Sequence, residues 1–70
     1  MLNKLGETLK YHRKRKGLTQ AEAGKKLNSY ATTIGNYERG ARVPDIYTIK
    51  DLADIYEVKV WDLVEEVFRE

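Results

Sequence analysis

Leu2, Leu5 and Leu9 keep a three-to-four-residue spacing, which predicts a first helix over residues 2–16, stopped by Gly17. Gly6 weakens the interior of that helix by about 1 kcal/mol relative to alanine, so packing must hold it. Thr19 followed three residues on by Glu22 is a capping-box signal, and Ala23 and Leu27 lie four apart behind it, so a second helix is expected at about Gln20 to Leu27. Gly24 leaves room for another backbone to pass close by, and Asn28 tolerates a left-handed conformation at a helix end. A third helix follows at about Ala31 to Arg39, with Ile34 and Tyr37 pointing inward and Gly40 as its C-cap. Pro44 and Asp45 announce a fourth, running to about Tyr56, whose Ile46, Ile49, Leu52, Ala53 and Tyr56 are spaced for one buried face. Glu57 stands where a C-terminal glycine is usual, so an irregular helix end is expected there. A fifth helix is predicted over Val60 to Phe68, with Val60, Leu63, Val64, Val67 and Phe68 in one stripe and Trp61 to the side.

The third helix turns Ala31, Thr32, Gly35, Asn36 and Arg39 outward. A helix with a small, polar and basic outer face, propped on another helix across a tight turn, suits insertion into a DNA major groove.

Gly17-Leu18-Thr19-Gln20, the small Gly24, Leu27 before the turn, Thr33-Ile34, Tyr37-Glu38-Arg39-Gly40, Arg42 and Pro44 together resemble the helix-turn-helix of the lambdoid phage repressor and Cro-like family, also called the XRE family. The resemblance runs over residues 2–68. It implies an all-α, five-helix, lambda-repressor-like fold, with residues 1–70 as one domain and the third helix as the recognition helix. It further implies an ion pair between Arg13 and Glu38 that fixes the third helix against the first. Phosphate contacts are implied for Thr19, Gln20, Thr33, Arg39 and Arg42, and for N–H groups of the loop after Gly40. Base contacts are implied for Tyr30, Ala31, Thr32 and Asn36. Asn36 is the best equipped, because an amide pairs bidentately with adenine.

The turn departs from the family pattern. Asn28 stands where glycine is usual, Ser29 at a buried aliphatic position, and Tyr30 at a capping Ser or Thr. The cap could therefore move to Ser29 and the apolar contact to Tyr30, which would displace the start of the third helix by one residue. The reading surface is also lean, without the usual Arg or Gln. Either DNA shape supplies part of the specificity, or the helix has drifted from base reading toward binding a protein.

Charge is uneven along the chain. Net charge is only +2, but Lys4, Lys10, Arg13, Lys14, Arg15 and Lys16 face only Glu7 in the first 17 residues, whereas acids dominate after residue 50. One basic and one acidic end allow the molecule to meet a polyanion with the first. Much of the basic run at His12 to Lys16 also has a structural reason, since a helix C-terminus favours cations. Lys25 and Lys26 are solvated surface or additional phosphate contacts. His12 is the only histidine and lacks a partner at metal or catalytic spacing.

Seventy residues without cysteine exclude a disulfide framework or a thiolate zinc site, and such a chain buries only about 60% of its unfolded surface. No apolar run reaches a membrane span and no secretory signal appears, so a cytoplasmic protein is expected. No P-loop, HExxH, nucleophile elbow or paired-carboxylate motif supports an enzyme, and no cofactor is expected.

The expected function is a DNA-binding transcriptional regulator, a repressor acting by operator occlusion. The chain has no room for a separate ligand-sensing domain, so no small-molecule effector is expected. Trp61 could roof the core or join Val64 and Phe68 in a two-fold contact, since aromatics are enriched at such centres. A homodimer on a near-palindromic operator is expected at least on DNA. Two other readings remain open: a protein-interaction module of antitoxin or anti-repressor type using the fifth helix, and a nucleoid protein without sequence preference.

Overall fold

The computed structural model describes residues 4–69, and these form helices and connections without strands. In chain order the helices are α1 (Lys4–Arg15), α2 (Gln20–Lys26), α3 (Ala31–Arg39), α4 (Ile46–Tyr56) and α5 (Val60–Val64), followed by a 3₁₀ turn at Glu65–Arg69. This is the five-helix, all-α architecture that the sequence predicts. Leu2 and the expected helix start at residue 2 lie outside the described residues.

The core joins all five helices: Leu9 from α1, Ala23 from α2, Ile34 from α3, Ile49, Leu52, Ala53 and Tyr56 from α4, and Leu63 from α5. Each of these was an apolar position at helical spacing. Ile46 was assigned to the same face but is 60% exposed, because the first turn of α4, like Val43 and Tyr47 beside it, is left uncovered by the other helices. At the far end of α4, Glu57 takes φ 58°, and Val58 N–H reaches back to the Ala53 carbonyl at 2.9 Å. The helix thus ends in the regular left-handed closure that glycine usually provides, correcting the expectation of an irregular end. Lys16 Nζ holds the Glu57 carboxylate at 2.7 Å and keeps its pKa below the ordinary value.

The fifth helix is shorter than its periodicity implied. After Val64 it tightens to three residues per turn. That change of period rotates Val67 and Phe68 out of the stripe, so Phe68 is 73% exposed while Val60 and Val64 still pack on the core.

The turn between α2 and α3 is held by backbone. Thr19 and Glu22 form the reciprocal capping box, with Thr19 Oγ1 accepting from Glu22 N–H at 3.0 Å and the Glu22 carboxylate accepting from Thr19 N–H at 2.8 Å. Those bonds hold the Glu22 carboxyl below its usual pKa. Asn28 adopts φ 58°, and Ser29 N–H returns to the Gly24 carbonyl at 2.7 Å. The chain then crosses directly over Gly24: a Cβ there would sit 2.5 Å from the Tyr30 carbonyl carbon. Helix α3 begins at Ala31, and Tyr30 is an extended N-cap residue without a side-chain cap bond. Tyr30 is 78% exposed, so it does not supply the apolar turn contact; Leu27, one turn back, packs on the core instead. Ser29 does not cap a backbone N–H either, its hydroxyl donating to Thr33 Oγ1 at 2.7 Å.

Arg13 and Glu38, 25 residues apart, meet in a buried fork. Arg13 Nε donates to Glu38 Oε2 at 2.6 Å and Nη2 to Oε1 at 3.1 Å, with side-chain exposures of 7% and 4%. The remaining arm, Nη1, donates to the Leu18 carbonyl at 2.8 Å, and Gln20 Nε2 donates to Glu38 Oε1 at 3.1 Å. One carboxylate therefore ties the end of α3 to α1 and to the start of α2. The hydrogen bond that Arg13 donates to Glu38 raises the Arg13 pKa against the opposing cost of burial. Nearby, burial first and the Glu38 charge second push the Tyr56 hydroxyl up to about 12, with Arg13 opposing.

Three outcomes are expected from melting experiments. Gly24→Ala gains about 1 kcal/mol of helix propensity but must push the turn backbone aside, so it loses stability by about 2 kcal/mol or more; an unchanged midpoint would contradict the close crossing. Arg13→Ala and Glu38→Ala each strand a buried charge and lose about 3–5 kcal/mol. At about 4–8 °C per kcal/mol for a domain of this size, each midpoint drops by about 12 °C or more. Tyr56 favours the folded state while neutral in both states, so its contribution is intact below pH 10 and fades as pH rises from 10 toward about 12. Tyr56→Phe, followed by alkaline titration of the circular dichroism signal, shifts the onset of unfolding to higher pH; an identical onset in both proteins counts against this assignment.

Candidate nucleic-acid interface

The outer face of α3 is open. Tyr30, Thr32 and Arg39 are exposed, and Ala31, Thr33 and Asn36 are half-buried; Thr32, Asn36 and Arg39 share the side away from the buried Ile34 and Glu38, whereas Ala31, seven residues before Glu38, lies on the inner flank of the first turn. This follows from the 3.6-residue period once Ile34 is fixed in the core. Gly35 is the exception: it was placed outward but is buried, covered by side chains on either side of it. A Cβ at Gly35 would lie 3.0 Å from Arg39 Nη1 and 3.6 Å from the Gln20 amide nitrogen and oxygen. Arg39 thus folds back along the helix, and its Nη2 donates to Asn36 Oδ1.

Around this face lie the groups expected to meet phosphates. Thr19 Oγ1 accepts the capping bond but keeps its own hydrogen to donate. Gln20, the first residue of α2, is half-buried, with one amide hydrogen given to Glu38. The Thr33 hydroxyl accepts from Ser29 and likewise keeps a donor. Gly40, in the left-handed conformation at φ 78°, closes α3. The N–H groups that follow are already engaged: Gly40 N bonds the Tyr37 carbonyl at 3.2 Å, and Ala41 N and Arg42 N bond the Asn36 carbonyl at 2.9 and 3.2 Å. The N–H groups of Ala41 and Arg42 are therefore not available to phosphates, and at this point the loop offers the exposed Arg42 side chain. Among the basic residues of α1 and the turn after it, Arg13 and Lys16 are spent on Glu38 and Glu57, whereas Lys10, Lys14 and Arg15 face solvent.

On α5 and the 3₁₀ turn, Trp61 and Phe68 stack with ring centroids 5.5 Å apart at 26°. Trp61 is 54% exposed and Val64 half-buried beside it. The stacking escaped sequence reasoning because it depends on the shortened period after Val64. The Asn36–Arg39 bond was also missed, although its three-residue spacing on a helix is a recognisable signal. The Gln20–Glu38 bond, spanning 18 residues, left no local trace.

His12 lies half-buried between α1 and the acidic end of the chain, its ring edge-on to Tyr11 with centroids 5.0 Å apart. Among the described residues no group of three or more His, Asp or Glu side chains is arranged to hold a metal ion, and no helix is long and apolar enough to cross a membrane.

A family profile described as a helix-turn-helix domain matches residues 4–66. The HTH-type transcriptional regulator ImmR of Bacillus subtilis (strain 168) is 44% identical over 54 residues, which cover 77% of this chain and 42% of ImmR. The uncharacterized HTH-type transcriptional regulator YazB of the same organism is 34% identical over 58 residues, covering 83% of this chain and 84% of YazB. The chain thus spans less than half of the first of these relatives and most of the second. With the profile covering all five helices, and with α2 and α3 joined by a turn that crosses over Gly24, the chain belongs to the helix-turn-helix family of the lambdoid-repressor and Cro-like type.

Proposed function

We propose that this chain is a sequence-specific, DNA-binding transcriptional regulator that represses by occupying an operator. Residues 1–70 act as one helix-turn-helix domain, and α3 lies in the major groove of double-stranded DNA. The observation that carries this reading is the open polar face of α3, with Thr32, Asn36 and Arg39 in a row while Ile34 and Glu38 anchor its back. A helix held this firmly on one side and left bare on the other is built to be inserted.

In this reading Tyr30, Ala31, Thr32 and Asn36 face bases. Thr19, Gln20, Thr33 and Arg42 grip phosphates on either side, which sets register and orientation. Trp61, Val64 and Phe68 form the contact with a second copy. Two copies place their recognition helices about 34 Å apart, one turn of the duplex, on a near-palindrome. The acidic C-terminal segment then points away from the phosphates.

Selection from a random duplex pool tests the reading: one near-palindrome with half-sites about 10 base pairs apart is expected. Enrichment of nothing despite salt-dependent binding would mean a packaging protein, and no binding to any duplex at low salt would mean a protein-interaction module. Arg42→Ala is expected to weaken binding to every sequence by the same factor and to lower the slope of log K against log salt by about one. Sequence-selective loss in that variant would move Arg42 from phosphate to base.

A further inference from the structure

Gly35 lies halfway along α3, on the flank between the buried Glu38 and the exposed Arg39, and is itself buried. The Arg39 guanidinium covers it from one turn later and the Gln20 amide from α2. Helical side chains lean toward the N-terminus, so a long side chain at 39 naturally runs back over 35 and 36. Glycine lets the guanidinium lie down against the helix backbone. From there Nη2 donates to Asn36 Oδ1, a charge-assisted bond between two side chains that both remain at the surface.

The bond changes what Asn36 offers. A free asparagine amide presents one acceptor and one donor, which match the N6 donor and N7 acceptor of adenine. With one lone pair of Oδ1 already taken by Arg39, the head gains the remaining guanidinium N–H groups beside the hydrogens of Asn36 Nδ2, so its donors outnumber the single acceptor position left. The combined head presents donors. Among major-groove edges, guanine offers two adjacent acceptors, N7 and O6.

We propose that Arg39 and Asn36 form a single base-reading unit seated on Gly35, which selects guanine over adenine in the major groove. Arg39 is then a specificity-determining residue and not the phosphate clamp that its place before Gly40 suggests. This inference rests on the reading that α3 enters DNA. It also removes the difficulty of a lean recognition face, since the missing arginine is delivered from the last turn of the helix to its centre.

The test uses wild type, Arg39→Met and Gly35→Ala in parallel selections from a random duplex pool, then titrations of the wild-type site and its single-base variants over a range of salt. Wild type is expected to enrich guanine at one position of each half-site, and replacing that guanine by adenine weakens binding by about 5- to 150-fold. Arg39→Met frees the Asn36 carbonyl, so the same position shifts to adenine or loses its preference. Gly35→Ala keeps every charge, and its methyl displaces only the flexible end of Arg39. It is expected to lose the guanine preference while its salt slope stays at the wild-type value. Both variants melt near wild type, because Arg39 is exposed and alanine suits a helix better than glycine.

If Arg39→Met instead weakens all sequences equally and lowers the salt slope by about one with base preference intact, Arg39 is a phosphate clamp and the proposal falls while the DNA-binding reading stands. Wild-type enrichment of adenine at that position overturns it as well. Absence of salt-dependent binding of wild type to any duplex overturns the DNA-binding reading, and this inference with it.

Discussion

A single buried carboxylate organises this domain. Glu38 receives the Arg13 fork and the Gln20 amide, so the end of α3, the last turn of α1 and the start of α2 share one fixed point. Apolar packing alone would leave α3 freer. The helix contributes Ile34 as its only fully buried large side chain, with Tyr37 partly covered beside it. One leucine-sized anchor fixes depth but permits rotation about the helix axis. The two-pronged hydrogen bond four residues further on is directional, and it sets that rotation. Burying two charges is costly, and such pairs are poor sources of net stability. Their value here lies in orientation: the face opposite Glu38 is the one that carries Thr32, Asn36 and Arg39.

The turn between α2 and α3 fixes the remaining freedom, the angle at which the helices cross. Gly24 lets the Tyr30 backbone lie within 2.5 Å of where a Cβ would be, and Asn28 in a left-handed conformation reverses the chain just before it. A methyl at position 24 would spread the helices and tilt α3 so that Glu38 is drawn off its anchor on Arg13. The turn and the ion pair are therefore one device, since each constrains a degree of freedom that the other leaves.

Elements whose signal is local were legible in the sequence. The Thr19–Glu22 box, the αL positions at Asn28 and Gly40, and the Asp45 cap all appear where their residue types demand them. On α4 the core followed from helical spacing except at Ile46, because periodicity shows which side of a helix is apolar and not how far along it a neighbour reaches. Val67 and Phe68 failed for a related reason: one phase was carried through a segment that changes from 3.6 to three residues per turn. Tyr30 was offered the role of the turn's apolar contact on residue type alone, while Leu27 already filled it. Across the candidate site, outward positions on α3 could be assigned from Ile34, but the bonds that decide what those positions offer could not. Arg13–Glu38 came from family resemblance, as no spacing rule links residues 25 apart.

Gly35 shows why the last step needs the folded chain. In a helix wheel it is merely an outward residue with nothing to contribute, and the bare tally of side chains makes the face look deficient. Folded, the missing Cβ becomes space that two neighbouring side chains occupy, one from each helix of the motif. The polar surface at the centre of α3 is then composed of Asn36 from its own turn, Arg39 from the next and Gln20 from α2. Gln20 is in turn held by Glu38, the carboxylate that orients the helix. The chemistry displayed outward and the constraint that holds α3 from behind thus meet over Gly35, where Gln20, bonded to Glu38, and Arg39, bonded to Asn36, both close on the same spot. Moving the ion pair would move the face it presents.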